Sequence, residues 1–192
     1  SPRNHSQRRL TPSATAQSQW LGSAPAGEMT KLMSGASELD LAGGRYRIER
    51  LIGRGGMGSV HAALDIATGR TLALKRLSAS ADARQLALFE REYHTLHSLQ
   101  HARIVEVYDY GRDGEGAFYT MELLAGSDLS SSAPMAWREV CNVLREVASI
   151  LGVLHARCLV HRDLSPKNLW RLPDGHIKLI DFGALAPFGV PS

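Results

Sequence analysis

Six residues constrain this chain more than any others: Gly53-Arg54-Gly55-Gly56-Met57-Gly58. They follow Tyr46-Arg47-Ile48-Glu49-Arg50-Leu51-Ile52, whose apolar and polar residues alternate as in a half-buried strand. Val60-His61-Ala62-Ala63-Leu64 then continues in strand-like sequence. Glycines lack Cβ, so the backbone can turn tightly and aim its N–H groups at a phosphate. The Gly-x-Gly-x-x-Gly spacing also occurs in dinucleotide sites, but there it opens a helix. A strand after Gly58 excludes that use. On these residues alone, a plain hairpin turn stays open.

The pattern downstream predicts a mixed fold. Thr71 to Leu77 reads as a third strand after the turn Ala67-Thr68-Gly69-Arg70. Residues Ala83 to Leu99 read as a helix with Leu86, Phe89, Tyr93 and Leu96 on its apolar side. Ile104 to Tyr110 and Ala117 to Leu123 read as strands joined by a turn over Gly111–Gly116. Trp137 to Ala156 reads as a long helix with the stripe Val140, Val143, Leu144, Val147, Ile150, Leu151 and Leu154. Loops and short strands follow, and no internal repeat is visible.

Residues 1–43 are rich in Ser, Ala, Pro, Gln and Gly. Such a stretch buries too little surface to offset its ordering entropy, so it is expected to be a disordered tail, with Trp20 and Leu21 a minor apolar spot. The first residue is Ser1, and Met29 and Met33 are candidate natural starts. The 192 residues, 44% hydrophobic and 21% charged, fit one globular domain plus that tail. A net charge of +3 without a Lys/Arg block describes a solvated surface and not a nucleic-acid footprint. Cys141 and Cys158 have apolar neighbours and no CxxC spacing, so reduced core cysteines in a cytoplasmic protein are expected. No apolar run approaches membrane-spanning length, and the N-terminus lacks the apolar core of a secretory signal.

The chemistry concentrates at three further places. Lys75 ends the apolar run Leu72-Ala73-Leu74, where a buried ammonium needs a partner. Glu92 and Glu90 on the following helix both qualify, and an edge lysine snorkelling to water is the bland alternative. His161-Arg162-Asp163 precedes Asn168 by five residues from Asp163, and Asp181-Phe182-Gly183 follows. Two carboxylates and an amide are hard oxygen donors suited to Mg²⁺ bridging phosphates. Pro166 is expected to keep this segment a loop. Taken singly, each residue fits a surface turn. As a set of seven fixed positions, chance gives roughly one match in 10⁹ starting points.

These motifs, in this order, resemble the protein kinase family. Gly-Arg-Gly-Gly-Met-Gly and His101-Ala102-Arg103-Ile104-Val105 resemble its bacterial Ser/Thr branch, and the resemblance covers about 44 to 192. It implies an α+β kinase-like fold: an antiparallel β N-lobe with one long helix over about 44–124, and the start of a helical C-lobe over about 125–192. It implies that Gly53, Arg54, Gly55, Gly56, Met57 and Gly58 cover the ATP phosphates. Lys75 would contact them while paired with Glu92. Val60, Ala73 and Trp170 would sandwich adenine, with Met121 as gatekeeper and Glu122 to Leu124 as the hinge. Asp163 would take the catalytic-base position, and Asn168 and Asp181 would hold Mg²⁺ or Mn²⁺. Leu96, Val107, His161 and Phe182 match a stacked column between lobes, and Arg162 the position that receives an activation-loop phosphate.

The implied reaction moves the γ-phosphoryl group of ATP to Ser or Thr of protein substrates in bacterial signalling, with kinase–kinase contacts for autophosphorylation. Three departures stand out. Ser165 replaces the usual lysine, with Lys167 two residues further on. Trp170 is bulky for an adenine floor. The sequence stops nine residues after Gly183, short of the activation loop and later C-lobe. The last point, with Ser165, sets a non-catalytic nucleotide-binding scaffold beside the active kinase as the second reading.

Overall fold

The computed structural model describes residues 41–131 and 134–189. The tail expectation for residues 1–40, Trp20 and Leu21 included, lies outside the described residues. Its boundary needs correction at the other end. Leu41–Ala42 forms strand β1, paired antiparallel with Arg47 and Tyr46. The turn between them uses Gly43 and Gly44, both at positive φ (55° and 69°), where a side chain would be strained. Ala42 is buried against Tyr46 and Phe118, which gives this two-residue strand its anchor.

Six antiparallel strands then form the N-lobe sheet, in the order β1-β2-β3-β4-β6-β5. Beside β1 they are β2 (Tyr46–Gly55), β3 (Gly58–Asp65), β4 (Thr71–Leu77), β5 (Val107–Asp113) and β6 (Gly116–Met121). The glycine segment is the β2–β3 hairpin, with Gly53 opposite Val60 and Gly55 opposite Gly58. Helix α1 (Ala83–Ser98) crosses one face of the sheet. It starts at a capping box: Gln85 N–H donates to Asp82 Oδ1 at 2.7 Å, and Asp82 N–H donates to Gln85 Oε1 at 2.9 Å. These reciprocal bonds satisfy amides that a helix start otherwise leaves unpaired.

Period-two alternation divides the sheet's residues. One face packs Ala63, Leu72, Leu74 and Phe118 with Tyr46 in a small outer core. The other joins a larger core in which Phe89, Tyr93 and Leu96 of α1 meet Tyr119, Val107, Ile104 and Phe182.

Below the sheet, short strands β7 (Ser127–Asp128), β9 (Leu169–Arg171) and β10 (Ile177–Leu179) pair in the order β10-β9-β7. Strand β8 (Leu159–Val160) pairs with β11 (Ala186–Pro187). The long helix α2 (Trp137–His155) buries Val143, Val147, Ile150 and Leu154. Leu144, expected in the buried stripe, is 60% exposed: a position adjacent to Val143 is turned about 100° from it. Cys141 and Cys158 are likewise exposed, not core, which corrects the reading from their apolar neighbours. Pro166 opens a 3₁₀ turn over Pro166–Asn168 where a loop was expected, because proline's fixed φ suits the first position of a helical turn. No helix of the described residues is long and apolar enough to cross a membrane.

The β3–β4 corner is held by charge. Arg45 donates through Nε and Nη2 to both oxygens of Asp65, at 2.8 and 2.7 Å. Asp65 also accepts from Ala67 N–H and Thr68 Oγ1. The Arg45 hydrogen bonds hold the Asp65 carboxyl well below its ordinary range, against the opposing effect of burial. A carboxyl depressed in the folded state stabilises the fold above its unfolded pKa, near 4, and that contribution is lost as the pH falls. The unfolding midpoint should therefore begin to drop below about pH 5 and keep falling until the pH passes the depressed folded-state value. Asp65→Asn should start lower and fall less over the same interval, as followed by thermal unfolding at stepped pH.

Candidate active site

The inner face of the N-lobe sheet sets the site. Lys75 lies opposite Val60 on β3 and opposite Tyr119 on β6. Two residues earlier, Ala73 lies opposite Ala62 and Met121. Val60, Ala73, Lys75, Tyr119 and Met121 therefore share one face by strand periodicity. Ala73 is fully buried, while Val60 and Met121 are half-buried.

Lys75 does not snorkel. Its Nζ donates to Glu92 Oε1 at 2.8 Å and Oε2 at 3.1 Å, and the side chains are 14% and 1% exposed. Glu90 faces elsewhere and accepts from Tyr110 Oη at 2.9 Å. Burial alone would pull the Lys75 ammonium's pKa down; Tyr119, Glu92 and Asp181 offset this and hold it well above the ordinary value. Glu92 Oε1 also accepts from Tyr119 Oη at 3.1 Å and from the Phe182 N–H at 3.3 Å. Lys75 Nζ reaches Asp181 Oδ1 at 3.5 Å. One carboxylate thus ties β4, β6, α1 and the segment after β10.

Of the loop glycines, protein crowding demands only one. A Cβ on Gly58 would lie 2.0 Å from the Arg76 carbonyl oxygen of β4. Among the described residues nothing beyond their chain neighbours lies within 4 Å of where a Cβ on Gly53, Gly55 or Gly56 would stand, and none of the three has positive φ. Neither packing nor backbone strain accounts for those three, so the open space along the loop is what their missing side chains preserve. Met57 at the loop tip reaches the segment after β10, its Sδ 3.3 Å from the Cβ position of Gly183.

The opposite wall comes from the segments around β8–β10. Asn168 is buried, and its Nδ2 donates to the Asp163 carbonyl at 2.8 Å and to Asp163 Oδ2 at 3.1 Å. The amide nitrogen being engaged, its oxygen is the end left for a cation. Asp163 is exposed beside it, and the Asp181 side chain is 50% exposed. Arg162 and Asp181 adopt positive φ (65° and 62°), a costly conformation for residues other than glycine. His161 packs edge-on against Phe182 at 5.1 Å. Burial lowers the His161 pKa and the nearby Asp181 opposes this; among the described residues neither ring nitrogen has a hydrogen-bond partner. Its imidazole is therefore neutral filler between the two motifs. Leu96 and Val107 lie in the same core as Phe182.

At the hinge, Glu122 turns its side chain back, accepting from Glu106 N–H at 2.8 Å and pairing with Lys178. Leu124 is half-buried. Trp170 is half-buried, with its Nε1–H donating to the Ala125 carbonyl at 2.9 Å. Lys167 is exposed, and its charge is felt at Asp128, whose carboxyl is lowered mainly by hydrogen bonds from Ser130.

Among the described residues no group of three His, Cys, Asp or Glu side chains could hold a metal ion. Asn168 and Asp181 offer two hard oxygen ligands, which fits Mg²⁺ sharing its coordination with phosphate and water. The sequence reading missed Tyr119, which reads as one more core aromatic in a strand. It also missed Arg91, whose Nη2 donates to the Leu185 carbonyl beyond Phe182.

The chain belongs to the protein kinase domain family, whose model matches residues 46–189. It is 39% identical over 151 residues to the serine/threonine-protein kinase PknA of Mycobacterium tuberculosis, covering 73% of this chain and 35% of that protein. Against the serine/threonine-protein kinase PrkC of Bacillus subtilis it is 35% identical over 146 residues, covering 73% of this chain and 22% of the relative. The probable serine/threonine-protein kinase PknB of Bifidobacterium longum is 36% identical over 166 residues, covering 79% and 24%. The chain spans about a third or less of the length of these relatives.

Breaking a buried pair strands a charge, whereas Glu90 leaves only a phenol to re-solvate. Glu92→Ala should cost about 3 kcal/mol or more and Glu90→Ala about 1 kcal/mol. Urea unfolding of the two variants checks this ranking.

Proposed function

We propose that this chain binds ATP with Mg²⁺ and transfers its γ-phosphoryl group to Ser or Thr hydroxyls of protein substrates. The observation that carries this reading is the Lys75–Glu92 pair held within 3.5 Å of Asp181. In this reading the buried Lys75 ammonium, the glycine loop and the oxygen ligands Asn168 and Asp181 serve one bound nucleotide.

In this reading, Gly53 to Gly58 lie over the phosphates, and Lys75 binds them while Glu92 fixes its Nζ. Val60, Ala73 and Met121 line the adenine end with the hinge at Glu122 and Leu124. The Glu122 side chain is turned away, so the hinge contributes its backbone there. Trp170 is anchored to Ala125 and offers its ring as the floor. Asn168 and Asp181 hold Mg²⁺, which supplies neutralisation of the phosphate charge. Asp163, oriented by the Asn168 amide, accepts the substrate hydroxyl's proton. Catalysis is then mostly positioning and charge neutralisation.

The second reading, a nucleotide-binding scaffold without transfer, draws on one observation. Ser165 stands two residues after Asp163, where the family usually has a lysine. One experiment separates the two. The chain is incubated with γ-labelled ATP, Mg²⁺ and an acceptor protein, and phosphoamino acids are analysed. We expect phosphoserine or phosphothreonine, and a loss of at least about 10²-fold in Asp163→Asn with nucleotide binding retained. Wild-type transfer no greater than that of Asp163→Asn, with ATP still bound, would establish the scaffold.

A further inference from the structure

Tyr119 lies directly opposite Lys75 in the β4–β6 register, and it is 1% exposed. A phenol this deep must find a partner for its O–H. It donates to Glu92 Oε1 at 3.1 Å, the same oxygen that accepts from Lys75 Nζ at 2.8 Å and Phe182 N–H at 3.3 Å. Its ring is held independently of that bond. Phe89 packs at 5.0 Å and Tyr93 at 5.9 Å between ring centroids. Lys75 Nζ sits 5.8 Å from the Tyr119 ring centroid.

The geometry has a mechanical consequence. A carboxylate facing one flexible lysine can swivel about its side-chain torsions, carrying the ammonium with it. Donors arriving at Oε1 from β4, from β6 and from the Phe182 backbone remove that freedom. Of the two neutral donors, Phe182 N–H belongs to the segment that also carries Asp181. Tyr119 is the donor on the rigid sheet. Burial pushes the pKa of its O–H well above the ordinary value, so it remains a donor wherever the fold persists.

We propose that Tyr119 is a positioning residue whose hydroxyl fixes the Glu92 carboxylate and thereby aims Lys75 at the nucleotide phosphates. This rests on the ATP-binding reading above. A merely structural tyrosine would contribute its ring and lose little when the hydroxyl is removed. Tyr119→Phe keeps the ring and deletes the bond, so it isolates the hydroxyl.

The test is a double-mutant cycle on the 192-residue chain, read as the affinity for a fluorescent ATP analogue with Mg²⁺. Tyr119→Phe should bind up to about tenfold more weakly, the scale of one hydrogen bond to a charged group. In a Glu92→Gln background the same substitution should change affinity by less than about twofold, because the partner it acts through is gone. Wild-type affinity in Tyr119→Phe would overturn the proposal, as would an equal loss in both backgrounds. A Tyr119→Phe chain that no longer folds by circular dichroism would give the hydroxyl a structural role and overturn it too. Wild-type chain without measurable nucleotide binding would instead bring down the ATP reading and this proposal with it.

Discussion

The structure turns on one buried ion pair. Lys75 and Glu92 come from a strand and a helix that Phe89, Tyr93 and Leu96 already pack together, and each charge would be intolerable in the core alone. Once α1 docks with Glu92 inward, Oε1 collects Tyr119 from the sheet and Phe182 from the segment after β10. Helix placement, strand register and the position of Asp181 are therefore linked through one carboxylate. A shift of α1 would break the pair and release Asp181's neighbourhood together. This fits a site where geometry contributes most of the rate.

The glycine loop shows a second constraint of another kind. Gly58 is fixed by the fold, since the Arg76 carbonyl oxygen occupies the space of its Cβ. The other loop glycines are free of crowding, and what they protect is emptiness. An ordinary hairpin needs glycine only where φ is positive or another chain segment approaches closely. Met57 reaching Gly183 ties the loop tip to the same segment that donates to Glu92. The glycine hairpin and the Asp181-Phe182-Gly183 segment are thus neighbours in space.

Much of this was legible in the sequence because its periodicities are strong. Strands β2, β3, β4 and β6 and both long helices follow from alternation and from three- and four-residue spacing, whereas β5 runs Val107–Asp113, three residues later than the expected Ile104 to Tyr110. Glu90 and Glu92 both suit Lys75 by residue type, yet helix phase separates them. Glu92 is three residues from Phe89 and four from Leu96, on the buried side, whereas Glu90 is turned about 200° from Glu92. The same phase argument would have placed Cys141 outside, about 200° from Val143. Strand β1 escaped notice because two residues carry no period; only Gly43-Gly44 marked its turn. Tyr119 escaped because register across strands is a tertiary fact. Its chemistry depends on standing opposite Lys75, 44 positions earlier, which a single sequence does not display.

In the proposed function the Lys75–Glu92–Asp181 cluster forms the phosphate end of a nucleotide site. A crystal structure of the chain with Mg²⁺ and a non-hydrolysable ATP analogue tests it most directly. Lys75 Nζ should touch phosphate oxygens while still bonded to Glu92, with Asn168 and Asp181 on the metal and the glycine hairpin above. Nucleotide bound elsewhere, or Lys75 detached from Glu92 with phosphates in the cleft, would contradict the account.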